Sequence, residues 1–436
     1  MKYFIRRLFN FKHVLLILLP IIFLYNTALA VVTFHPGLSA GTTYTDNIDL
    51  TPENEEHDFI TTVSPAIDIS MTGRLSSLSL LYAPTYANYL RFPEFNTLRH
   101  NADLSTSRQI SRTTELEFTN TYLYTEEPLY DTEEAVTEID TTVRQGRNPY
   151  YENTAMLAAI NQFGPENSIE FGYEYYFLKN RGEEDIEDRD HHTPNIILNY
   201  WLIPSKLGAE SEISYVKRAF DVSEDYNDIS ARLRLTRRFS PHFDIYAEYT
   251  HEVTNYVADG EDYQIYAPTV GFVWDEYINS TFSGSFGYFF QDNESREDED
   301  GLVGTIATNY AWQQGTNVSF SGTAGYDRAD TGAENLGFNT FYGLTTRFTH
   351  PISRRLSTDL TIGYRRSIYM ELEPEREDAI IRASAGLTYQ LLPWMLLETS
   401  YTFRDLDSDV DENDYTENEA MITITLTPRQ PVMLSR

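Results

Sequence analysis

The chain has 436 residues, with 33 lysines and arginines against 66 aspartates and glutamates, no cysteine, and an aromatic content of 14%. A formal charge of -33 excludes a non-specific nucleic-acid binder, because such a chain repels a polyanion. The lack of cysteine excludes disulfides and cysteine-ligated metals, an apolar content of 41% excludes a bundle of membrane-spanning helices, and 32 tyrosines with 25 phenylalanines are too many for a disordered acidic chain.

Residues 1–30 have the pattern of a secretory signal peptide. Four basic residues precede an apolar run from Val14 to Tyr25, and the segment ends in the A-x-A sequence Ala28-Leu29-Ala30. The run is short for a spanning helix, so an N-terminal membrane anchor is the weaker alternative. We expect cleavage after Ala30. An exported chain without cysteine fits a bacterial envelope.

Beyond residue 30, apolar and polar residues alternate with a period of two up to the C-terminus. In 229–236 and 378–390, aliphatic side chains alternate with arginine, serine and threonine. Such runs last about 10–14 residues, longer than the roughly 5–6 residues of a usual soluble strand. A tilted transmembrane strand needs about 9–11 residues, so the pattern predicts strands that cross a bilayer.

The predicted connections alternate between short turns and longer acidic loops. Nine short turns are predicted near 71–74, 108–113, 163–167, 203–206, 238–241, 275–278, 313–316, 350–354 and 391–394. The longer acidic loops include 47–57, 126–148, 181–190, 292–300, 371–378 and 405–416. Nine turns join eighteen strands, and a leading strand near 33–45 with a closing strand near 417–427 makes twenty.

This layout predicts an all-β fold, a transmembrane antiparallel up-and-down β-barrel of about 20 strands (18–22) with short periplasmic turns and long acidic extracellular loops. A closed sheet is the one strand arrangement that pairs every backbone group inside lipid. We expect one barrel domain over 31–436, with a soluble all-β array as the alternative. Aromatic residues near the strand ends predict an interfacial girdle, namely Tyr122, Tyr124, Tyr288, Tyr326, Tyr401 and Phe403.

Short motifs in the chain are similar to those of a known family. The segments 36–47, which ends in Tyr-Thr-Asp-Asn, and 58–65, which runs from Asp-Phe-Ile to Ser-Pro, resemble its first two strands. The unit 237–241 running into 246–249 also looks like it. The family is that of outer-membrane β-barrel porins associated with exopolysaccharide and PEP-CTERM gene clusters of Gram-negative bacteria. The resemblance implies an outer-membrane barrel linked to polysaccharide production or export, and it brings no catalytic residues.

Candidate chemistry is weak in the loops. Asp405, Asp407 and Asp409 have EF-hand-like spacing, but Val410 and Thr416 stand where that motif requires glycine and glutamate. Solvated loops are therefore the favoured interpretation, and weak association of the loops with divalent cations stays open. Neither G-x-S-x-G nor H-E-x-x-H occurs, so we expect no enzyme and no catalytic, metal or cofactor residues.

Arginine usage is more informative, because 26 arginines stand against three lysines after residue 30. Alternation places several charged side chains on the luminal side, and the candidate pore-lining residues are Arg232, Arg234, Arg365, Arg382, Glu170, Glu174 and Asp359. Arginine forks could bind carboxylate sugars along a translocation path. The alternative, favoured because both signs are interleaved, is cross-strand ion pairs that fix the strand register.

A barrel of twenty strands would be about 40 Å wide, too wide for its own side chains to fill. Loop 126–148 is the longest and is the predicted constriction. The leading hypothesis is an outer-membrane channel for exopolysaccharide export or biosynthesis. A non-specific diffusion porin and a closed barrel that docks periplasmic export proteins are the alternatives. Expected partners are outer-membrane lipid and lipopolysaccharide, together with exopolysaccharide and periplasmic export proteins, and no nucleic acid.

Overall fold

The computed structural model describes residues 31–128, 146–181, 187–258, 260–276, 279–312, 315–329, 336–372, 375–430 and 432–435. The predicted signal peptide and residues 129–145 of the predicted constriction loop lie outside these ranges.

Twenty long strands make up about three quarters of the described residues. They are β1 (Val31–Thr45), β2 (Asp58–Thr72), β3 (Ser76–Tyr89), β4 (Thr97–Gln109), β5 (Thr114–Thr125), β6 (Tyr150–Gln162), β7 (Ser168–Asn180), β8 (Arg189–Ile203), β9 (Leu207–Phe220), β10 (Tyr226–Ser240), β11 (Phe243–Tyr256), β12 (Tyr263–Glu276), β13 (Ser280–Asn293), β14 (Glu299–Ala311), β15 (Asn317–Ala329), β16 (Gly337–Pro351), β17 (Leu356–Tyr369), β18 (Arg376–Leu392), β19 (Met395–Ser408) and β20 (Tyr415–Leu426). A short 3₁₀ helix (Pro93–Phe95) follows β3, and a four-residue strand, β21 (Val432–Ser435), follows β20.

The sheet closes on itself. Each long strand pairs antiparallel with its neighbours in sequence, and β1 pairs with β20 from Leu38 opposite Leu426 to Thr45 opposite Glu419. The predicted closed barrel of twenty strands is therefore confirmed. In the described part of the chain, no helix is long and apolar enough to cross a bilayer.

The closing seam has a component that the sequence did not predict. The first residues of β1 extend past the end of β20, and β21 pairs with them, for example Val432 with Phe34. The predicted last strand ended near 427, but the chain resumes pairing with β1 after a short interruption. Both β20 and β21 thus cover the same edge of β1, which would otherwise be open.

Lipid and lumen impose the alternation that the sequence shows. On β10, Ile229, Leu233 and Leu235 point outward and are exposed, whereas Arg232 and Arg234 point inward among charged neighbours. Outward apolar and inward polar side chains are what a wall between hydrocarbon and water requires. The register also places five of the six predicted girdle aromatics on the outward face; Tyr326 differs, as described below.

The strands run further into the outer loops than the sequence predicted. Each of the nine short connections overlaps its predicted position, but the loop predicted at 405–416 shrinks to 409–414 because β19 and β20 extend into it. Strand lengths of 12 to 17 residues exceed the roughly 9–11 needed to cross hydrocarbon. The wall of the barrel therefore continues beyond the bilayer.

A charge on the outward face at mid-strand should destabilise the barrel. Ala383, in the middle of β18, lies opposite Ile362 and Phe403, whereas the next residue, Ser384, lies opposite Thr361 and Thr402. We expect Ala383→Arg to cost about 2–4 kcal/mol of unfolding free energy, since the arginine would face hydrocarbon. Ser384→Arg faces water and should cost little. Denaturant unfolding in lipid vesicles measures both, and equal losses would contradict the face assignment.

Candidate functional site

A ladder of ion pairs lines the inner wall of β9, β10 and β11. Arg232 contacts the carboxylates of Glu210, Glu212 and Glu248, with Nη2 2.8 Å from Glu212 Oε2 and Nη1 3.1 Å from Glu248 Oε2. Arg234 Nε donates to Glu248 Oε2 at 2.7 Å. These two predicted pore-lining residues thus lie together on the inner face, and their forks already bind neighbouring carboxylates. The contacts are those of cross-strand pairs that fix the register.

The other predicted pore-lining residues are spread around the wall. Glu170 and Glu174 lie on the inner face of β7, where Glu174 is within the electrostatic reach of Arg218. Arg382 faces the lumen from β18. Asp359 lies near the short-turn end of β17, opposite Gly386. A Cβ atom at Gly386 would clash with that carboxylate, so the glycine makes room for it.

Arg365 is the most buried of the predicted set. Its guanidinium stacks 4.0 Å from the ring centroid of Phe341, Nε donates to Ser367 Oγ at 3.1 Å, and Nη2 lies 3.6 Å from Asp327 Oδ2. The residue is 5% exposed, so the side chain packs within the wall. The structure therefore places all seven predicted side chains on the inner face, but it does not gather them into one site.

The first outer loop, 46–57, folds into the barrel mouth. Ile48 and Leu50 are 0% exposed, and each packs against a different part of the inner wall. The wall residues are Ile60, Ala87 and Tyr89 for Ile48, and Ile380, Leu406 and Tyr415 for Leu50. The prediction that 47–57 is a solvated acidic loop is wrong for these two apolar residues, because burial against the wall removes them from water.

Polar contacts fix this loop to the wall. Asn47 Nδ2 donates to the backbone oxygens of Thr51, at 2.8 Å, and Thr416, at 3.1 Å, and Asn47 Oδ1 accepts from the Thr51 amide. Leu50 has a left-handed backbone with φ of 57°, a conformation that is costly for a residue with a branched side chain. The burial of its side chain holds Leu50 in that conformation, so the docked loop has one defined shape.

The described ends of the predicted constriction loop also lie inside the mouth. Gly146 donates its amide to Asp49 O at 2.9 Å, and Arg147 Nε donates to Ile48 O at 3.0 Å. At the other end, Glu126 is 1% exposed and accepts hydrogen bonds from Tyr89 Oη at 2.5 Å and from Arg99 Nη2 at 2.7 Å. Loop 46–57 is therefore the observed inward element here, and the ends of segment 126–148 support it.

The conductance should fall as the pH is lowered, through Asp49 in this loop. Burial raises the pKa of the Asp49 carboxyl above its ordinary value of 3.8, Arg147 opposes the shift, and Glu56 adds to it. The docked loop thus binds a proton more readily than an undocked loop, and docking strengthens as pH falls toward the raised pKa. Asp49→Asn should remove this part of the pH dependence. Bilayer currents recorded during an acid titration test it, and an unchanged titration in the variant would contradict it.

A second element closes over the mouth from the opposite part of the wall. β14 pairs with β15 only as far as Gly304 and Ala324, whereas β15 and β16 stay paired up to Ala329 and Gly337. Beyond Ala324 this pair bends inward. Side chains that the alternation would turn outward therefore pack against the inner face of β12 and β13. We call residues 325–329 with 337–341 the inward hairpin. Its packing core consists of Tyr326 and Phe338 against Tyr263, Ile265, Ala267 and Phe289.

Tyr326 was predicted in the outer aromatic girdle, and that prediction is wrong. Its ring lies 4.9 Å from that of Phe289, centroid to centroid, and its hydroxyl donates to Glu252 Oε1 at 3.3 Å on the inner face of β11. The period-two pattern gives the side of a flat strand, but it carries no information about a strand that bends through the mouth.

Arg328 holds the inward hairpin to β10, β11 and β12. Its guanidinium carbon lies 3.9 Å from the ring centroid of Tyr226, 5.0 Å from that of Tyr256 and 5.3 Å from that of Tyr263. Nη1 donates to Tyr263 Oη at 2.8 Å, and the carboxylate of Glu371 lies 3.8 Å from Nη2. The side chain is 10% exposed, so these cation–π contacts are desolvated, where each is worth about 2 kcal/mol or more. We call this arrangement the Arg328 latch.

A signal for both inward elements is present in the sequence. Two aliphatic residues, Ile48 and Leu50, stand in an otherwise polar outer loop. Arg328 stands at the parity of the lipid-facing side chains of β15, where a charge is unfavourable. Each feature conflicts with a regular barrel, and each marks a place where the chain leaves the regular wall.

Part of the chain is similar to a known protein family. The model of the family described as "Putative beta-barrel porin 2" matches residues 221–427, from the loop before β10 to the end of β20. This part of the chain is similar in sequence to that porin family. The predicted resemblance to an outer-membrane porin family is confirmed, whereas the link to exopolysaccharide gene clusters stays a prediction. No curated protein has significant sequence similarity to the chain.

The chain is similar to solved structures at low sequence identity. The FrpB iron transporter from Neisseria meningitidis has a TM-score of 0.54 at 8% identity, covering 90% of this chain and 82% of that chain. A mutant of the ferric enterobactin receptor PfeA from Pseudomonas aeruginosa has a TM-score of 0.51 at 8% identity, covering 91% and 80%. A BenF-like porin from Pseudomonas fluorescens Pf-5 has a TM-score of 0.45 at 10% identity, covering 93% and 100%.

At these sequence identities, the similarity to the FrpB transporter and to the PfeA receptor shows that this chain shares their fold. With the family match and the apolar outward face, it places the protein in the outer membrane as a porin-like β-barrel channel, as predicted. A porin-like barrel points to a channel rather than to an enzyme.

Proposed function

We propose that this porin-like barrel is a gated outer-membrane channel that serves exopolysaccharide export or biosynthesis. The observation that carries the proposal is the mouth, where loop 46–57 and the inward hairpin occupy a lumen about 40 Å wide. A lumen of that width would pass small solutes without selection. Two segments that fold into this mouth make passage conditional on their position, and the strand pairing further along the wall does not depend on them.

The inner wall suits a hydroxyl-rich polymer. Hydroxyl pairs bridge neighbouring strands on the luminal face, with Oγ1 of Thr33 2.6 Å from Oγ of Ser70 and Oγ1 of Thr85 2.7 Å from Oγ of Ser64. The ion-pair ladder around Arg232 adds carboxylates and guanidinium groups. Sugar hydroxyls donate and accept hydrogen bonds, so a saccharide chain can replace such contacts one by one as it moves.

The occupied mouth bears differently on the two alternative functions. A non-specific diffusion porin would conduct without a polymer preference, and the occupied mouth argues against it. A closed barrel that docks periplasmic export proteins would never open, and the occupied mouth is compatible with it. We include lipopolysaccharide and periplasmic export proteins among the proposed partners, because an export path has to connect with the envelope on both sides.

Gene deletion with polymer-block recordings tests the proposal. Deleting the gene should reduce extracellular polysaccharide, and the wild-type gene should restore it. In planar bilayers, a variant with an opened mouth should conduct, and alginate or dextran should interrupt its current. Unchanged extracellular polysaccharide would overturn the export role. Current that no polymer interrupts would favour a diffusion porin, and an opened variant without current would favour the docking barrel.

The channel should prefer cations, and Arg232 should set how strongly. Carboxylates outnumber basic groups in the outer loops, and they concentrate cations at the mouth. Arg232→Gln leaves Glu210, Glu212 and Glu248 without their shared cation, so we expect greater cation selectivity and a loss of about 1–2 kcal/mol of stability.

The reversal potential under a salt gradient measures this selectivity. The preference should shrink at 1 M salt, where the Debye length falls to about 3 Å. Arg237→Gln is the matched control, because Arg237 lies on the outward face of the same strand and its loss should leave the reversal potential unchanged. Anion selectivity of the wild-type protein at low salt would contradict the prediction.

A further inference from the structure

A cavity of about 660 Å³ lies at the outer mouth, between the inward hairpin and the outer ends of β11 to β14. The loops before β10, β12, β14 and β18 contribute to its wall, so it opens on the extracellular side of the barrel. Its volume is that of a small-molecule site, roughly 300–1,000 Å³. The pore-lining residues predicted from the sequence take no part in it.

The cavity carries a surplus of negative charge. Glu261 pairs with Arg296, Nε to Oε2 at 2.9 Å, and Glu371 lies next to Arg328 of the latch. Glu297, Glu299 and Glu375 also line it, and Glu299 is close enough to the other two for their charges to interact. Within the described residues, none of these three carboxylates has a basic partner.

A buried amide gives an independent indication of a ligand. Gln291 lines the cavity and is 4% exposed. Its Nε2 donates to Asn293 Oδ1 at 3.0 Å, but its Oε1 has no hydrogen-bond partner among the described residues. A buried acceptor left unpaired costs about 1–3 kcal/mol. Among the described residues, the cavity therefore presents one buried acceptor without a donor, the Gln291 amide oxygen, beside three carboxylates without a basic partner.

We propose that this cavity binds an organic ligand that bears ammonium groups, either a free polyamine or an oligosaccharide with free amino groups. An ammonium group supplies three N–H donors and a positive charge, which match Gln291 Oε1 and the surplus carboxylates. Phe338 and Tyr256 provide an aromatic wall for the carbon skeleton. A bare metal ion fits less well, because no group of three His, Asp or Glu side chains in the described ranges is placed to hold one.

Calorimetric titration of the folded, detergent-solubilised protein tests the proposal. The probes are spermine, the glucosamine trimer and the N-acetylglucosamine trimer. Replacing the carboxylates in E297Q/E299Q/E375Q should weaken binding of spermine or of the glucosamine trimer by about tenfold or more at low salt. The control E53Q/E55Q/E94Q removes the same charge from exposed positions in two other loops, and binding should stay within about twofold of the wild type.

A second variant keeps the charge and tests the amide. Gln291→Leu removes the acceptor while conserving most of the volume, and it should weaken binding several-fold. Heat-dependent migration in mild SDS shows that each variant is folded. Tighter binding of spermine would identify a polyamine site, and tighter binding of the glucosamine trimer would identify an amino-sugar site.

Equal affinities of the two triple variants, or equal affinity for the acetylated and the free-amine trimers, would overturn the proposal. The titration needs no transport through the barrel. Loss of the proposed export function would therefore leave its outcome unaffected, and the two proposals can fail separately.

Discussion

Replacing Arg328 by glutamine should free the inward hairpin and raise the conductance of the barrel several-fold. The guanidinium lies against the rings of Tyr226, Tyr256 and Tyr263 at the same time. Removing one partner from a buried charged network costs about 3–5 kcal/mol, because the other partners stay buried without it. The remaining hairpin contacts include the aromatic packing of Tyr326 and Phe338 and the hydrogen bond from Tyr326 to Glu252, and water can reach them once the latch opens.

A labelling experiment makes the Arg328 prediction specific. The chain has no cysteine, so Phe289→Cys introduces a single thiol on the wall that the inward hairpin covers, at a position that is 1% exposed. A polar thiol reagent should leave this thiol unmodified with Arg328 present and modify it with Arg328→Gln. Arg366→Gln is the control, since Arg366 pairs with Glu377 on the outward face of the neighbouring strand. A protected thiol and unchanged conductance in Arg328→Gln would contradict the latch.

Placing carboxylates at Ile48 and Leu50 should undock the first loop and open the other part of the mouth. Both side chains are 0% exposed, and removing such a side chain alone costs about 2–5 kcal/mol. A carboxylate at the same position adds the cost of burying a charge, so the docked loop becomes less stable than a loop exposed to water. We expect the double variant I48D/L50D to conduct more than the wild type while its barrel keeps the same heat-dependent migration.

The matched control adds the same charge to exposed loop positions. Leu90 and Val257 are 70% and 65% exposed, so L90D/V257D should leave the conductance unchanged. Single-channel recordings in planar bilayers measure both variants. A conductance in I48D/L50D equal to that of the control would show that loop 46–57 does not limit the passage.

The wall of the barrel was predictable because two solvents impose its sequence pattern. A strand between lipid and water has to alternate, as 378–390 does, and a slip of one residue would turn every side chain to the wrong face. The positions of the turns could be predicted for the same reason, since the alternation breaks where the chain leaves the bilayer. The preference for cross-strand ion pairs also followed from interleaved charges, although the partners of Arg232 became known only from the strand register.

The mouth was not predictable in the same way. The contacts of Leu50 are with Ile380, Leu406 and Tyr415, which lie far along the chain and come close only when the barrel is complete. No periodicity relates residues so distant. The constriction predicted at loop 126–148 rests on length alone and lies mostly outside the described residues, whereas two apolar residues in a shorter loop make inward contacts that the structure describes.

The position of loop 46–57 has a consequence for how the molecule is made. β1 is the first long strand and β20 the last, so their pairing joins the two ends of the barrel and carries a large loss of chain entropy. Leu50 has its hydrophobic site on β18 to β20, across that junction from β2 and β3, where Ile48 binds. Before the ends meet, the loop has the Ile48 site beside it but not the Leu50 site, so it cannot dock completely. Docking of the loop is thus one of the last steps of folding, and a barrel obstructs its own mouth only after its assembly is finished.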